Sequence, residues 1–177
     1  MKKSLIITLF SLLASFHMIA QESVSTDEEV SENVWEVKAN ALYLIVGAVE
    51  VSAERSLNSE SALGLTVFLP YDKDVKDDIQ YYISPYYRLY FGNKQTAGFF
   101  LEGFAMINST DRDFIFEDDE DDFVTDLALG IGLGGKWLTK SGFVGEISFG
   151  VGRNLFNPEG SDLEFIGKGG ISVGYRF

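Results

Sequence analysis

The sequence predicts an all-β chain, an eight-stranded antiparallel up-and-down transmembrane β-barrel. Three observations predict it. Eight stretches carry side chains that alternate with a period of two, the repeat of a strand. Their connections alternate between short and long. The two faces of each stretch also differ in the sense opposite to that of a water-soluble barrel.

The chain has 177 residues, enough for one domain. Its start has a different character from the rest. Lys2 and Lys3 precede a nearly unbroken apolar run from Leu5 to Ile19, and Ala20 offers a small residue before Gln21. This is the layout of a cleaved secretory signal peptide over residues 1–20. Gln21 to Asn33 is acidic and without periodicity, so residues 21–34 are expected to form a flexible linker. The barrel is expected over residues 35–177.

Charge and composition exclude several functions. Cleavage removes Lys2 and Lys3 and keeps all 27 acidic residues, leaving a charge of about −15. Nucleic acid, which needs clustered Lys and Arg, is not an expected partner. There is no cysteine, hence no disulfide framework and no thiol for a lipid anchor. Cleavage also removes the one histidine, His17. What remains cannot build a Ser-His triad, a Cys nucleophile or a His/Cys zinc site. No catalytic residue, cofactor or metal site is assigned. No later stretch has the continuous apolar length of a transmembrane helix, so a membrane span must be made of strands.

The expected strands are Trp35–Leu44, Ala48–Leu57, Ala62–Leu69, Gln80–Phe91, Ala97–Asn108, Phe123–Trp137, Phe143–Gly152 and Phe165–Phe177. Tight turns at Asn58–Ser61, Gly92–Thr96 and Leu138–Ser141 alternate with longer, more acidic connections at Tyr71–Ile79, Ser109–Asp122 and Arg153–Glu164. The connection near Val46 and Gly47 is the exception, short where the pattern calls for long. Short periplasmic turns and long outer loops are the outer-membrane arrangement, and an even strand count returns both termini to the periplasm.

The faces set the orientation. In the sixth run Thr125, Leu127, Leu129, Ile131, Leu133 and Trp137 oppose Asp126, Ala128, Gly130, Gly132, Gly134 and Lys136. The seventh sets Phe143, Ile147, Phe149 and Val151 against Val144, Glu146, Ser148 and Gly150. A lipocalin-like soluble barrel would enclose the apolar face. Here small and charged residues suit a crowded lumen, and large apolar ones suit lipid. Glu36, Glu50, Glu54, Glu102, Asp126 and Glu146 are then expected to face the lumen with Lys38, Arg88, Lys136, Lys168 and Arg176, a nearly neutral network. Such a lumen is filled by side chains. Trp35, Tyr90, Phe91, Trp137, Phe143, Tyr175 and Phe177 are expected in an interfacial aromatic belt.

Two motifs bear on chemistry. Gly130-Ile131-Gly132-Leu133-Gly134-Gly135 fits a dinucleotide fingerprint literally. That motif needs a strand ending in a helix, whereas here the strand pattern runs through it. The acidic run Glu117–Asp122 lacks the glycine and ligand spacing of a calcium loop and is expected to be a solvated loop.

The sequence ends in Gly-Ile-Ser-Val-Gly-Tyr-Arg-Phe. This resembles the terminal signal of outer-membrane proteins, which implies recognition by the barrel-assembly machinery through Ile171, Val173, Tyr175 and Phe177. More broadly, Val37-Lys38-Ala39-Asn40-Ala41-Leu42 and Val51-Ser52-Ala53-Glu54-Arg55-Ser56-Leu57 resemble the opening of a small outer-membrane β-barrel family of Bacteroidota, similar in shape to OmpX and the barrel of OmpA. The resemblance implies fold and bacterial outer-membrane location, with outer-membrane lipid and lipopolysaccharide as partners and a monomeric barrel. It brings no activity. A structural or surface-interaction role is the leading expectation, with a small-solute channel and a soluble binding barrel as rivals.

Overall fold

Alternation from Trp35 onward resolves into strands because each side chain position finds a consistent medium on either side of one closed sheet. The structure is a computed structural model, and it describes residues 34–92, 95–111, 123–156 and 164–177. The expected signal peptide, nearly all of the expected linker and the acidic run Glu117–Asp122 lie outside these residues.

The strands are β1 (Trp35–Asn40), β2 (Ala48–Ser56), β3 (Ser61–Pro70), β4 (Ile79–Phe91), β5 (Gly98–Asp111), β6 (Phe123–Leu138), β7 (Phe143–Asn154) and β8 (Phe165–Arg176). Each pairs antiparallel with the next, and β8 returns to β1, closing the barrel. The closing seam pairs Glu36 with Arg176 and Asn40 with Ser172. Beyond it, Trp35 and Phe177 exchange backbone hydrogen bonds of 3.2 and 3.0 Å. Closure leaves no sheet edge for another chain to extend.

The first expected strand ends early. The chain leaves the sheet at Asn40, whose side-chain oxygen accepts from the backbone N–H groups of Leu42 (3.1 Å) and Tyr43 (3.4 Å). This N-cap starts helix α1 (Ala41–Val46), which Gly47 ends at φ 107°, its N–H donating to the Tyr43 carbonyl. A short apolar run such as Ala-Leu-Tyr-Leu-Ile-Val carries no periodicity that separates strand from helix. A second helix, α2 (Lys73–Asp78), capped by Asp72, stands in the expected loop Tyr71–Ile79. With α1 outside the sheet, the anomalous short connection disappears. The ends of β1, β3, β5 and β7 lie at one rim, the long-loop rim, with the connections 41–47 and 71–78, and the turns 57–60 and 139–142 lie at the other, the short-turn rim. Strands β5 and β7 run further toward the long-loop rim than expected, to Asp111 and Asn154, because their pairing with β6 continues.

Glycines let the barrel wall come close to its own filling. A Cβ on Gly134 would lie 2.5 Å from both the Ile147 carbonyl oxygen and the Phe100 ring, and one on Gly64 would strike the Tyr86 ring at 2.2 Å. Large aromatic side chains from β4 and β5 thus occupy the space that small residues on facing strands leave empty. Gly130 to Gly135 run as uninterrupted strand within β6, with no helix following.

Candidate functional site

Strand parity turns one set of charged side chains inward, and register then stacks them. Glu36 lies directly across from Glu54, Arg88 from Glu102, and Lys136 from Glu146. Two carboxylates facing each other repel unless a cation lies between them. Lys136 does so, donating to Glu36 Oε2 at 2.8 Å and to Glu54 Oε1.

Glu54 is the hub. It is 1% exposed. Beyond Lys136 it accepts from Lys38 Nζ (2.9 Å), Arg88 Nη1 (2.9 Å) and the hydroxyls of Tyr86 (3.1 Å) and Tyr90 (2.8 Å). Glu146 accepts from Lys38 Nζ and Arg88 Nη1, both at 2.7 Å. Arg88 Nε reaches Glu102 at 2.7 Å, and Lys168 Nζ lies 2.8 Å from the same carboxylate. At the short-turn rim Arg176 pairs with Glu36 and donates to the Thr96 side-chain oxygen at 3.0 Å. Every strand but β3 supplies a charge to this network. Its cations also lie over aromatic faces: Arg88 is 4.4 and 4.2 Å from the Tyr86 and Phe100 ring centres, and Lys168 is 4.6 Å from that of Phe104. Charges withdrawn from water are tolerable only when their lone pairs and protons are satisfied in this way.

The other two acidic residues stand apart. Glu50 is held by neutral donors, the Asn40 amide at 2.9 Å and the Tyr82 hydroxyl. Asp126 Oδ1 accepts from the backbone N–H groups of Leu127 (2.6 Å) and Phe156 (3.1 Å), which fixes where the chain leaves β7. Around Glu50 lies an apolar cluster that sequence reading missed. Ala48, Phe68, Tyr82, Tyr86, Phe104, Met106, Ala128 and Ile166 form an apolar cluster inside the barrel, with Tyr43, Val75 and Ile79 packed against it. Phe68 stacks on Tyr82 with ring centres 4.7 Å apart. The signal was available: Tyr82 and Tyr86 share parity with Arg88, and Phe104 and Met106 with Glu102. Tyr90 is corrected on the same ground. It points inward, 4% exposed, and belongs to the network rather than to an outer belt.

The outer face carries the opposite chemistry. Leu63, Leu65, Val67, Leu89, Leu101, Leu129, Ile131, Leu133, Ile147, Phe149, Ile171 and Val173 are all exposed. Toward the short-turn rim the exposed side chains become aromatic. Phe91 packs near Phe99 (6.0 Å), Phe143 meets Tyr175 edge-on (5.5 Å), and Trp35, Trp137 and Phe177 complete the ring.

A barrel filled from within and apolar without is a defined class: the closed, eight-stranded, antiparallel, inside-out β-barrel. The particular family follows from the sequence match. Over residues 6–159 the chain belongs to the family described as Protein of unknown function (DUF3575). None of the curated proteins matches it. Among solved structures it is similar to the N-terminal β-barrel domain of Pseudomonas aeruginosa OprF. That likeness has a TM-score of 0.61 at 16% identity, covering 84% of this chain and 100% of that one. It is also similar, at a TM-score of 0.45 and 16% identity, to Neisserial surface protein A (NspA), covering 84% and 98%. At this identity the likeness to OprF is one of fold.

Proposed function

We propose that the chain is a bacterial outer-membrane β-barrel protein with a plugged lumen, acting in a structural or surface-interaction role without catalysis. One observation carries this reading: burial is inverted, with ionised side chains enclosed and large apolar ones outside. In water each such Leu or Phe forgoes roughly 1.5–3 kcal/mol relative to burial. In a bilayer the same face is already in its preferred medium. Strands of 12 to 16 residues in β4 to β8 exceed the roughly 9–11 that a tilted strand needs to cross.

The reading extends to details in the same spirit. A cleaved leader over residues 1–20 exports the chain. Ile171, Val173, Tyr175 and Phe177, all outward on β8 and just beyond it, serve as the recognition strip for the assembly machinery. The long-loop rim faces outside, toward lipopolysaccharide, and the barrel works as a monomer. The small Bacteroidota barrels of OmpX-like shape are the group whose architecture it shares. A solute channel is disfavoured by the Glu54-centred network, which bridges opposite walls with side chains.

Migration of unboiled and boiled envelope membranes on a gel tests the membrane reading. The folded barrel should shift its apparent size on boiling, and recovery in a salt-washed soluble fraction would overturn it. Steady single-channel openings from purified protein in planar bilayers would overturn the plugged lumen.

A further inference from the structure

We propose that α1 is a lipid-contacting anchor, seated at the boundary between headgroups and acyl chains in the leaflet on the long-loop side. The inference rests on the membrane reading above and adds to it a specific contact site.

Helix α1 contains no charged residue, and Leu42, Leu44, Ile45 and Val46 are all exposed, Ile45 by 82%. Only Tyr43 turns inward, its ring 5.1 Å from that of Phe68. The other described helix on this rim has the composition that water demands: α2 carries Lys73, Asp74, Lys76, Asp77 and Asp78. An uncharged, outward-facing apolar turn on a rim otherwise rich in acidic residues calls for a different neighbour.

Continuity identifies that neighbour. Helix α1 packs against β2 and β8, whose outward residues Val49, Val51, Ile171 and Val173 belong to the apolar exterior. The α1 patch therefore prolongs that surface past the end of β1, where the sheet itself is shortest. Acyl chains that cover the strands meet α1 next. The turn is also built to hold its pose. Asn40 caps its start, and the Gly47 carbonyl accepts from the N–H groups of both Tyr71 and Asp72 at 2.9 Å. The half-exposed Tyr71 donates its hydroxyl to the Leu44 carbonyl at 2.6 Å. An exposed tyrosine whose hydroxyl holds a backbone carbonyl suits the interfacial zone. An apolar helical face in that zone sinks about 5–10 Å below the headgroups.

The test uses the full chain folded into phosphatidylcholine vesicles, with Trp35→Phe and Trp137→Phe removing the native reporters. Tryptophan is then introduced singly as Ile45→Trp in α1, Ile131→Trp in the middle of β6, or Lys73→Trp in α2. The vesicles carry bromine either near the headgroup or deep in the acyl chains. Val46→Trp substitutes where Ile45→Trp fails to give the heat-modifiable folded band. The α1 reporter should be quenched strongly by shallow bromine and much less by deep bromine, as a side chain at the headgroup–acyl boundary would be. The β6 reporter should respond most to deep bromine, and the α2 reporter to neither. An α1 reporter untouched by both lipids while Ile131→Trp is quenched would overturn the anchor and leave the membrane reading standing. Water, a second copy of the chain or another protein would then cover the patch. An unquenched Ile131→Trp would remove both.

Discussion

Glu54 receives three cations and two phenol hydroxyls, so its removal leaves more behind than it takes away. In Glu54→Ala the buried Lys38, Arg88 and Lys136 lose their shared counter-charge. The cost should be about 3–5 kcal/mol, as expected when one partner of a buried pair is deleted. The midpoint of urea unfolding in detergent micelles, followed by the heat-modifiable band, measures it. Tyr90→Phe removes a single hydroxyl from the same carboxylate and should cost less, about 1.5–3 kcal/mol by the same assay. At this scale the inward charges were legible from parity alone. Each sits on a period-two face opposite large apolar side chains or alanine, and the structure encloses Glu36, Lys38, Glu54 and Lys136. The inward aromatics were not recognised, since Tyr and Phe suit lipid, interface and core alike. Only their parity with Arg88 and Glu102 separates them.

Among the elements, the connections carry the most information per residue. Asn40 has two duties: its oxygen starts α1, and its amide donates to Glu50. Asn40→Ala should therefore cost about 1 kcal/mol for the cap, and more for the carboxylate it strands. Hydrogen exchange at the Leu42 and Tyr43 amides should quicken before the strands unfold. Gly134→Val in β6 should block folding yield far more than Gly145→Val in β7. A Cβ at the first position meets the neighbouring strand and the Phe100 ring, while the second has open space around it. The strand count and the alternation of loop lengths could be read from sequence. The end of β1 could not, because an uncharged apolar run supports helix and strand equally and the deciding contact is the Asn40 cap. The ladder extensions of β5 and β7 depend on partners distant in the chain, which local pattern does not reveal.

At the level of the whole molecule, the contrast between the two sides of the wall is the feature to test. Ile131→Arg places a charge in the middle of the outer face and should cost about 2–4 kcal/mol in vesicles, the penalty of a basic side chain at the bilayer midplane. Lys140→Ala, on an exposed turn, should stay within about 0.5 kcal/mol of the parent. Denaturant titration of the vesicle-folded protein distinguishes them. The sense of the contrast was legible because Leu, Ile, Phe and Trp outweigh what an enclosed face of this size can accept.

Two of the ion pairs that meet in the lumen join residues far apart along the chain: Lys136 joins Glu36 across 100 positions, and Arg176 joins Glu36 across 140. Neither of these two bonds can form until strands distant in sequence are brought together, whereas Arg88 and Glu102 already face each other within the β4–β5 hairpin. The pairs made by Glu36 thus act as a latch that engages when β1 meets the far strands. Refolding should report the two Glu36 ion pairs and the closed seam together.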